Sequence, residues 1–400
     1  MMGSCLTTTP TPVDWRFLLG FCLSALVWVR AEPPTLQIDL VTPPAEDTYT
    51  RYQGAFGNGG TGVPVSGGHD CDGDGIADVA LSAMTSSPFG LSVAGQVTLI
   101  WGTGQLGHTI NTGAIDGQFL QIAGTAVLEA TGSEIWMDDL DGDGLGDLLI
   151  GRQNYTHQGR RGVGALTVIF GHSALRTFSE QGTLLNLAEP PADIPILTIV
   201  GQNPFDRLGI WMRTGDVDGD GIQDLALGAD EADRDFRNSG EVYVIRGGAH
   251  LRDVNLLDLA SLSESPLAEH VARVVPPSVN IDAHFGATVQ LGDLDNDGRA
   301  ELLVAATIER AGAQIRLPNA PGGTGQSRGG IGHGRTYILW DEWFTPEVWN
   351  APGYEIILTG NDTNLTVLDG GENSVRFGEE MLAGGDFDGD GHQDLMVGDL

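Results

Sequence analysis

The chain has 400 residues, 54 of them acidic and 20 basic, and its formal net charge at pH 7 is −34. A surface of that sign repels the phosphates of nucleic acids and of anionic lipids, so we expect neither as a partner. The length alone would suggest two or three domains, but an internal repeat overrides that estimate.

The N-terminus carries an apolar run of thirteen residues at 17–29, and a small-residue cleavage-like site follows it at Ala31. Thirteen residues are short for a membrane span. We therefore predict a signal peptide at 1–31, with an uncleaved anchor as the alternative, and no membrane span after cleavage. Residues 32–50 then form a proline-punctuated linker, in which 36–40 alternates like a short strand.

One acidic loop of nine residues recurs five times. In the copy within 215–228, acidic residues stand at positions 1, 3, 5 and 9, and glycine stands at position 6. Glycine permits the sharp bend that lets alternate side chains converge on one point. The acidic residues of the five copies are Asp70, Asp72, Asp74 and Asp78; Asp139, Asp141, Asp143 and Asp147; Asp216, Asp218, Asp220 and Asp224; Asp293, Asp295, Asp297 and Glu301; and Asp386, Asp388, Asp390 and Asp394. The glycines are Gly75, Gly144, Gly221, Gly298 and Gly391.

Carboxylates that converge in this way repel one another unless a hard cation lies among them. Calcium, which takes about six to eight oxygen ligands in flexible geometry, fits this pattern better than magnesium, which requires a stricter octahedron. An EF-hand loop is excluded, because it places a glutamate at position 12 and continues into an amphipathic helix. Here short β-like apolar runs follow position 9. The loops therefore predict about five bound calcium ions.

The spacing of the loops leaves room for about four strands in each repeat. Runs that are apolar on both faces predict third strands buried between neighbouring sheets, at 95–102, 164–171, 241–248 and 334–341. Fourth strands are predicted at 196–201 and 354–360. No segment after the signal has helical periodicity. The expected architecture is all-β, a ring of four-stranded blades that each bury their faces against the next.

The repeat resembles a known family. Phe285-Gly286 and Phe377-Gly378 lead into an acidic loop, the pattern GDxDGDGxxDLxVGA follows, and a strand of the form GxVYVxxG comes next. These features resemble the FG-GAP repeat of integrin alpha-chain N-terminal β-propellers and of their bacterial relatives, over about 36–400. The resemblance implies a seven-bladed propeller with calcium loops on one face and ligand-binding loops on the other.

The resemblance also implies particular ligands and boundaries. Positions 1, 3, 5 and 9 would bind calcium through side chains, and position 7 through its backbone carbonyl. The implied carbonyl donors are Ile76, Leu145, Ile222, Arg299 and His392. The strand at 36–40 would close the ring. Because the fifth loop ends at Asp394 and the sequence stops at Leu400, we expect a propeller over 51–400 that is truncated in its fifth blade.

Other chemistry has weaker support. Ser327 lies in a G-x-S-x-G match within a glycine-rich run, where the strand-to-helix turn of a nucleophile elbow is not expected. Four arginines near the insertion at 305–335 could meet an anionic ligand, although a disordered glycine-rich loop is the default interpretation. They are Arg310, Arg316, Arg328 and Arg335. Sequons begin at Asn154, Asn361 and Asn364, as in a glycoprotein.

We therefore predict an exported calcium-binding FG-GAP propeller, secreted or at the cell surface, with no catalytic residue and with calcium in a structural role. Its expected function is binding or adhesion, through a protein or glycan ligand on the face opposite the calcium loops. The alternative is a carbohydrate-active enzyme, a polysaccharide lyase or hydrolase, or the accessory module of a hydrolase.

Overall fold

The computed structural model of the chain describes residues 51–54, 59–104, 109–112, 117–182, 184–234, 237–277, 282–309, 333–349, 351–371, 374 and 376–399. The predicted signal at 1–31, the strand at 36–40, Ser327 and three of the four insertion arginines, Arg310, Arg316 and Arg328, lie outside these residues. Within them, no helix has the length and apolar character needed to cross a bilayer.

The described chain is built mainly from short strands. In order they are β1 Arg51–Gln53, β2 Val65–Gly67, β3 Val79–Ala83, β4 Gln96–Ile100, β5 Thr109–Asn111, β6 Phe119–Ala123, β7 Thr131–Asp138, β8 Asp147–Arg152, β9 Ala165–Ile169, β10 Leu185–Asn186, β11 Ile196–Val200, β12 Met212–Gly215, β13 Asp224–Ala229, β14 Glu241–Ile245, β15 Leu256–Asp258, β16 Val271–Val275, β17 Phe285–Gly292, β18 Glu301–Ala306, β19 Arg335–Leu339, β20 Tyr354–Ile357, β21 Leu365–Asp369, β22 Met381–Gly385 and β23 Asp394–Val397.

Consecutive strands pair into antiparallel sheets that have the topology of propeller blades. The first four sheets contain β2-β3-β4-β6, β7-β8-β9-β11, β12-β13-β14-β16 and β17-β18-β19-β21, and β22-β23 form the last. First strands of successive sheets contact one another, since β7 touches β12, β12 touches β17 and β17 touches β22. The structure thus confirms the all-β repeat architecture of four-stranded blades.

A fifth strand extends three of the sheets across blade boundaries. The segment between the third and fourth strands of one blade reaches back and pairs in parallel with the outer strand of the preceding blade: β10 with β6, β15 with β11 and β20 with β16. The predicted fourth strand at 354–360 is therefore wrong. Residues 354–357 form β20, which belongs to the third sheet, and the fourth strand of their own blade is β21.

The parallel pairing of β1 with β5 follows the same rule. β5 lies between the third and fourth strands of its blade, as β10, β15 and β20 do in theirs. β1 therefore occupies the place of the outer strand of a preceding blade. The segment 51–53 thus makes the kind of contact that the resemblance attributes to a ring-closing strand, although the predicted strand at 36–40 lies outside the described residues.

The prediction of no helix is also wrong in detail. The described residues include two short α-helices, α1 Ala174–Glu180 and α2 Pro346–Trp349, together with a few 3₁₀ turns. Both helices lie in connections between third and fourth strands. α1 buries only Leu175 and Ser179, so it has too short an apolar face for periodicity to reveal it.

The hydrophobic core is a series of interfaces between neighbouring sheets. One cluster joins the first and second sheets and includes Val97 and Ile150, a second joins the second and third, and a third joins the third and fourth. The third strands β4, β9 and β14 are buried at every residue. The prediction that these strands lie between two sheets is confirmed.

A glycine before each third strand brings successive blades into backbone contact. Gly240 has φ +78, and a Cβ there would lie 2.0 Å from the carbonyl oxygen of Phe285, the first residue of the next blade. Gly164 and Gly334 repeat this arrangement against Leu208 and Phe377. Only glycine allows both the left-handed conformation and this approach.

Replacement of Gly240 should test this contact. We expect Gly240→Ala to reduce the free energy of unfolding by roughly 2–5 kcal/mol, because the left-handed conformation costs about 1–2 kcal/mol and overpacking about 1–3 kcal/mol. Gly159→Ala is the matched control, since Gly159 has φ +83 but an added Cβ would meet nothing within 4 Å. Equal losses in denaturant titrations of the two variants would contradict the proposed contact.

Candidate metal centres

The five acidic loops occupy equivalent places in the five sheets. Each connects the first strand of a sheet to the second, and the acidic residue at position 9 begins or immediately precedes that second strand. The loops therefore lie at the same edge of every blade, on one face of the molecule.

Three carboxylates converge in every loop, with oxygen atoms within 4.8 Å of one another. In the first, second, third and fifth loops they belong to positions 1, 3 and 9. In the fourth loop they belong to positions 1, 3 and 5. The groups are Asp70, Asp72 and Asp78; Asp139, Asp141 and Asp147; Asp216, Asp218 and Asp224; Asp293, Asp295 and Asp297; and Asp386, Asp388 and Asp394. The remaining predicted acids, Asp74, Asp143, Asp220, Asp390 and Glu301, lie in the same loops beside these groups.

The position 1 side chain organises the turn. Both oxygens of Asp70 accept backbone hydrogen bonds, from Gly73 N and Gly75 N, each at 2.7 Å. The glycine at position 6 supplies the second donor with φ +85, and its equivalents in the other loops also lie in the left-handed region. The invariant glycine of the pattern therefore shapes the loop, as the sequence predicted.

The carboxylate at position 5 accepts a hydrogen bond from the backbone N–H of position 7. Asp74 Oδ1 accepts a hydrogen bond from Ile76 N at 2.9 Å, and the same bond joins Asp143 to Leu145 at 2.8 Å. The other three loops repeat it at Ile222, Arg299 and His392. The metal-ligand role of the position 7 carbonyls remains a prediction.

The position 9 carboxylate ties the loop to the end of the third strand. In the second sheet, Asp147 Oδ2 accepts from Leu140 N at 2.9 Å and Oδ1 accepts from Gly171 N at 2.8 Å. Asp78 and Asp224 make the equivalent pairs of bonds. Each of these three side chains is buried, so one carboxylate joins three separate stretches of backbone inside the protein.

Burial makes these negative charges costly. Desolvation raises the pKa of Asp147 and of Asp224 to about 8, and neighbouring loop carboxylates add to the effect. The same cause raises the pKa of Asp78 to about 6 and that of Glu301 to about 7. A divalent cation among these groups would favour their ionised forms.

An unpartnered buried oxygen atom supports the fit of a hard cation. Glu301 Oε1 is buried and accepts no hydrogen bond among the described residues, while Asp72 Oδ2 and Asp141 Oδ2 are buried and are contacted only by an arginine side chain. The side-chain ligands that these loops offer are all carboxylate oxygens. Such a set binds calcium or magnesium in preference to zinc or copper. The residues at these loops therefore fit the ion that the sequence predicted.

The contact between successive loops was not predicted from the sequence. The position 7 side chain of one loop packs against the position 4 glycine of the preceding loop. An added Cβ at Gly73 would lie 3.6 Å from Leu145, and one at Gly142 would lie 3.0 Å from Ile222. Backbone bonds reinforce this contact, as from Gly146 N to the Asp70 carbonyl at 2.7 Å. The only available signal was the apolar residue at position 7 of the first three loops.

The family comparison agrees with this geometry. The family model of the FG-GAP repeat matches residues 209–245 and 285–329, which include the third and fourth loops. The chain carries FG-GAP repeats. The first and second sheets have the same strand order and loop position as these matched FG-GAP units.

Relatives share part of the chain. Phosphatidylinositol-glycan-specific phospholipase D of Mus musculus is 29% identical over 192 residues, which are 47% of this chain and 18% of that protein. Integrin alpha-PS2 of Drosophila melanogaster is 28% identical over 184 residues, 44% of this chain and 11% of that protein. The shared segment is thus a small part of either relative. A rhamnogalacturonan lyase structure from Bacillus licheniformis aligns with 84% of this chain and 55% of its own, at 12% identity and a TM-score of 0.33.

The raised pKa values predict how pH affects the metal-free protein. Asp147 and Asp224 have folded-state pKa values of about 8, against about 4 in an unfolded chain. Between these values the folded state binds more protons, so its stability should fall as pH rises from about 4 to about 8. We expect melting temperatures measured in chelator to decrease across this window, and saturating calcium to remove the decrease. A metal-free melting temperature that rises over the same window would contradict the assignment.

Proposed function

We propose that the chain is an exported calcium-binding FG-GAP propeller that acts as a binding or adhesion module outside the cell or at its surface. The observation that carries this proposal is the fivefold recurrence of one loop geometry with converging carboxylates. The apolar segment at 17–29 supports export, and extracellular calcium is abundant enough to fill even weak sites.

Calcium has a structural role in this proposal. In each of the first three loops the ion would lie beside a position 9 carboxylate that already holds the loop start and the third strand. Loading would offset the repulsion among the acids and stabilise the hydrogen bonds around them. The chain itself carries out no catalytic step in this proposal, because its converging acids serve the ion.

The ligand would bind on the face opposite the calcium loops. Three bulky apolar side chains are exposed there, Phe89 at 67%, Leu128 at 58% and Phe205 at 63%. All three lie in connections that leave the far ends of the strands, and all three have left-handed backbones, with φ of 55°, 63° and 71°. Strain of this kind is found at functional sites, and exposed apolar side chains favour contact with a partner.

Calcium titration of the purified chain tests the metal sites. After chelation, we expect calorimetry to show about five ions bound and the melting temperature to rise with calcium. A calcium concentration one hundred times the dissociation constant of a site should add about 2.7 kcal/mol to the free energy of unfolding. Asp224→Asn should remove one ion, since it removes a charge from the third loop. Binding of no calcium to the unmodified chain would overturn the proposal.

Arrays of glycans and of extracellular proteins test the ligand face. The variant with Phe89→Asn, Leu128→Asn and Phe205→Asn should lose at least tenfold in affinity for any array hit. Asparagine tolerates the left-handed conformation, so the fold and the calcium stoichiometry should be unchanged.

The matched control for this experiment is Ile357→Gln, because Ile357 is 55% exposed but lies on the outer strand β20. It should bind as the unmodified chain does. Unchanged binding by the triple variant would place the ligand elsewhere, and cleavage of a polysaccharide on the array would overturn the non-catalytic assignment.

A further inference from the structure

Arginine side chains already contact the free carboxylate oxygens of the first loop. Asp72 Oδ1 and Asp74 Oδ1 accept the backbone N–H groups of Asp74 and Ile76. Their Oδ2 atoms are left over, and both face one guanidinium. Arg176 Nη1 lies 2.9 Å from Asp72 Oδ2 and 2.5 Å from Asp74 Oδ2.

The second loop repeats this arrangement. Arg252 Nη2 lies 2.5 Å from Asp143 Oδ2, and Arg252 Nε contacts Asp141 Oδ2. The Oδ1 atoms of both aspartates again accept backbone N–H groups. The Asp141 side chain is 1% exposed, so the guanidinium covers an oxygen that water does not reach.

The third loop has a guanidinium on the same two positions from a different source. Arg246 Nε lies 2.7 Å from Asp218 Oδ2, and Arg246 Nη2 lies 2.9 Å from Asp220 Oδ2. Arg246 follows β14 in the same blade as its loop, whereas Arg176 in α1 and Arg252 in the turn Ala249–Asp253 reach back from the next blade. Arg176 and Arg252 thus share a place in the repeat, each in the helix or turn of the connection after a third strand, and Arg246 occupies a different one. The same two acidic positions are therefore contacted from two different places in the repeat.

The last two loops differ. Within the described ranges, Asp295, Asp297, Asp388 and Asp390 form no ion pair with an arginine. Arg299, which belongs to the fourth loop, pairs instead with Asp341 at 3.0 Å. Among the described residues, three loops therefore have a guanidinium on their position 3 and position 5 acids.

We infer that Arg176, Arg252 and Arg246 are built-in competitors of calcium, so that each arginine weakens ion binding at the loop that it contacts. This inference rests on the proposed calcium function. Calcium needs oxygens at about 2.3–2.6 Å, and a guanidinium that holds the same oxygens must move before the ion can use them. Even a guanidinium that stays nearby repels a doubly charged ion at this distance.

The arginines also couple ion binding to contact between blades. Arg176 and Arg252 join the acidic loop of one blade to a connection of the next blade. When calcium enters the first or second loop, the ion pair between blades is lost and the carboxylates bind the ion instead. Calcium entry at the third loop displaces Arg246 within a single blade. Metal-free protein therefore keeps its first three loops partly neutralised, which lessens the repulsion that chelation would otherwise leave.

Calcium calorimetry of glutamine variants tests the competition. Arg176→Gln, Arg252→Gln and Arg246→Gln should each lower the dissociation constant of one calcium ion by about tenfold or more, while lowering the melting temperature in chelator because an ion pair is lost. Arg176→Lys should leave that dissociation constant as it is in the unmodified chain, because it keeps the charge.

Arg237→Gln is the matched control, since Arg237 is 68% exposed and pairs with Asp282, away from the loops. It should leave all calcium affinities unchanged. If the three arginines had only a structural role, their glutamine variants would lose both stability and calcium affinity. That result would overturn the inference. In that case five ions would still bind and the proposed function would stand, whereas an unmodified chain that binds no calcium would overturn the proposed function itself.

Discussion

A buried carboxylate at the start of the second strand joins the acidic loop to the third strand in each of the first three blades. Asp147 and Asp224 each accept one backbone N–H from the loop and one from the residue after the third strand. The carboxylate accepts both hydrogen bonds best when it is ionised. Burial next to other acids, however, disfavours the ionised form and raises its pKa. A hard cation in the loop would resolve this conflict, because it would compensate the charge and leave the hydrogen bonds in place.

Successive blades are joined by contacts of several kinds. The glycine before a third strand touches the backbone of the next blade, an extra parallel strand extends the preceding sheet, and each position 7 side chain packs on the preceding loop. Stability in such a row is a sum of blade and interface contributions. An ion bound in one loop would therefore act on the interface beside it as well as on its own blade.

Periodic features were predicted well from the sequence, and features that depend on a neighbouring blade were not. The third strands at 95–102 and 241–248 were recognised because burial between two sheets requires apolar side chains on both faces. The segment 354–360 was assigned to the wrong sheet, because a short apolar run has the same composition in an outer strand of either blade. Only the pairing of Ala272 with Tyr354 decides between them.

The sequence by itself determined the repeat and the positions of the acidic loops, because an acidic residue at alternate positions around a glycine is a local property of nine residues. Only the tertiary structure decided which oxygens are free and what neutralises them. Arg176 lies 102 residues from Asp74, and the sequence alone does not show that the two side chains meet. Their ion pair exists because the connection of one blade folds back over the loop of another, and that contact is made only when the sheets pack.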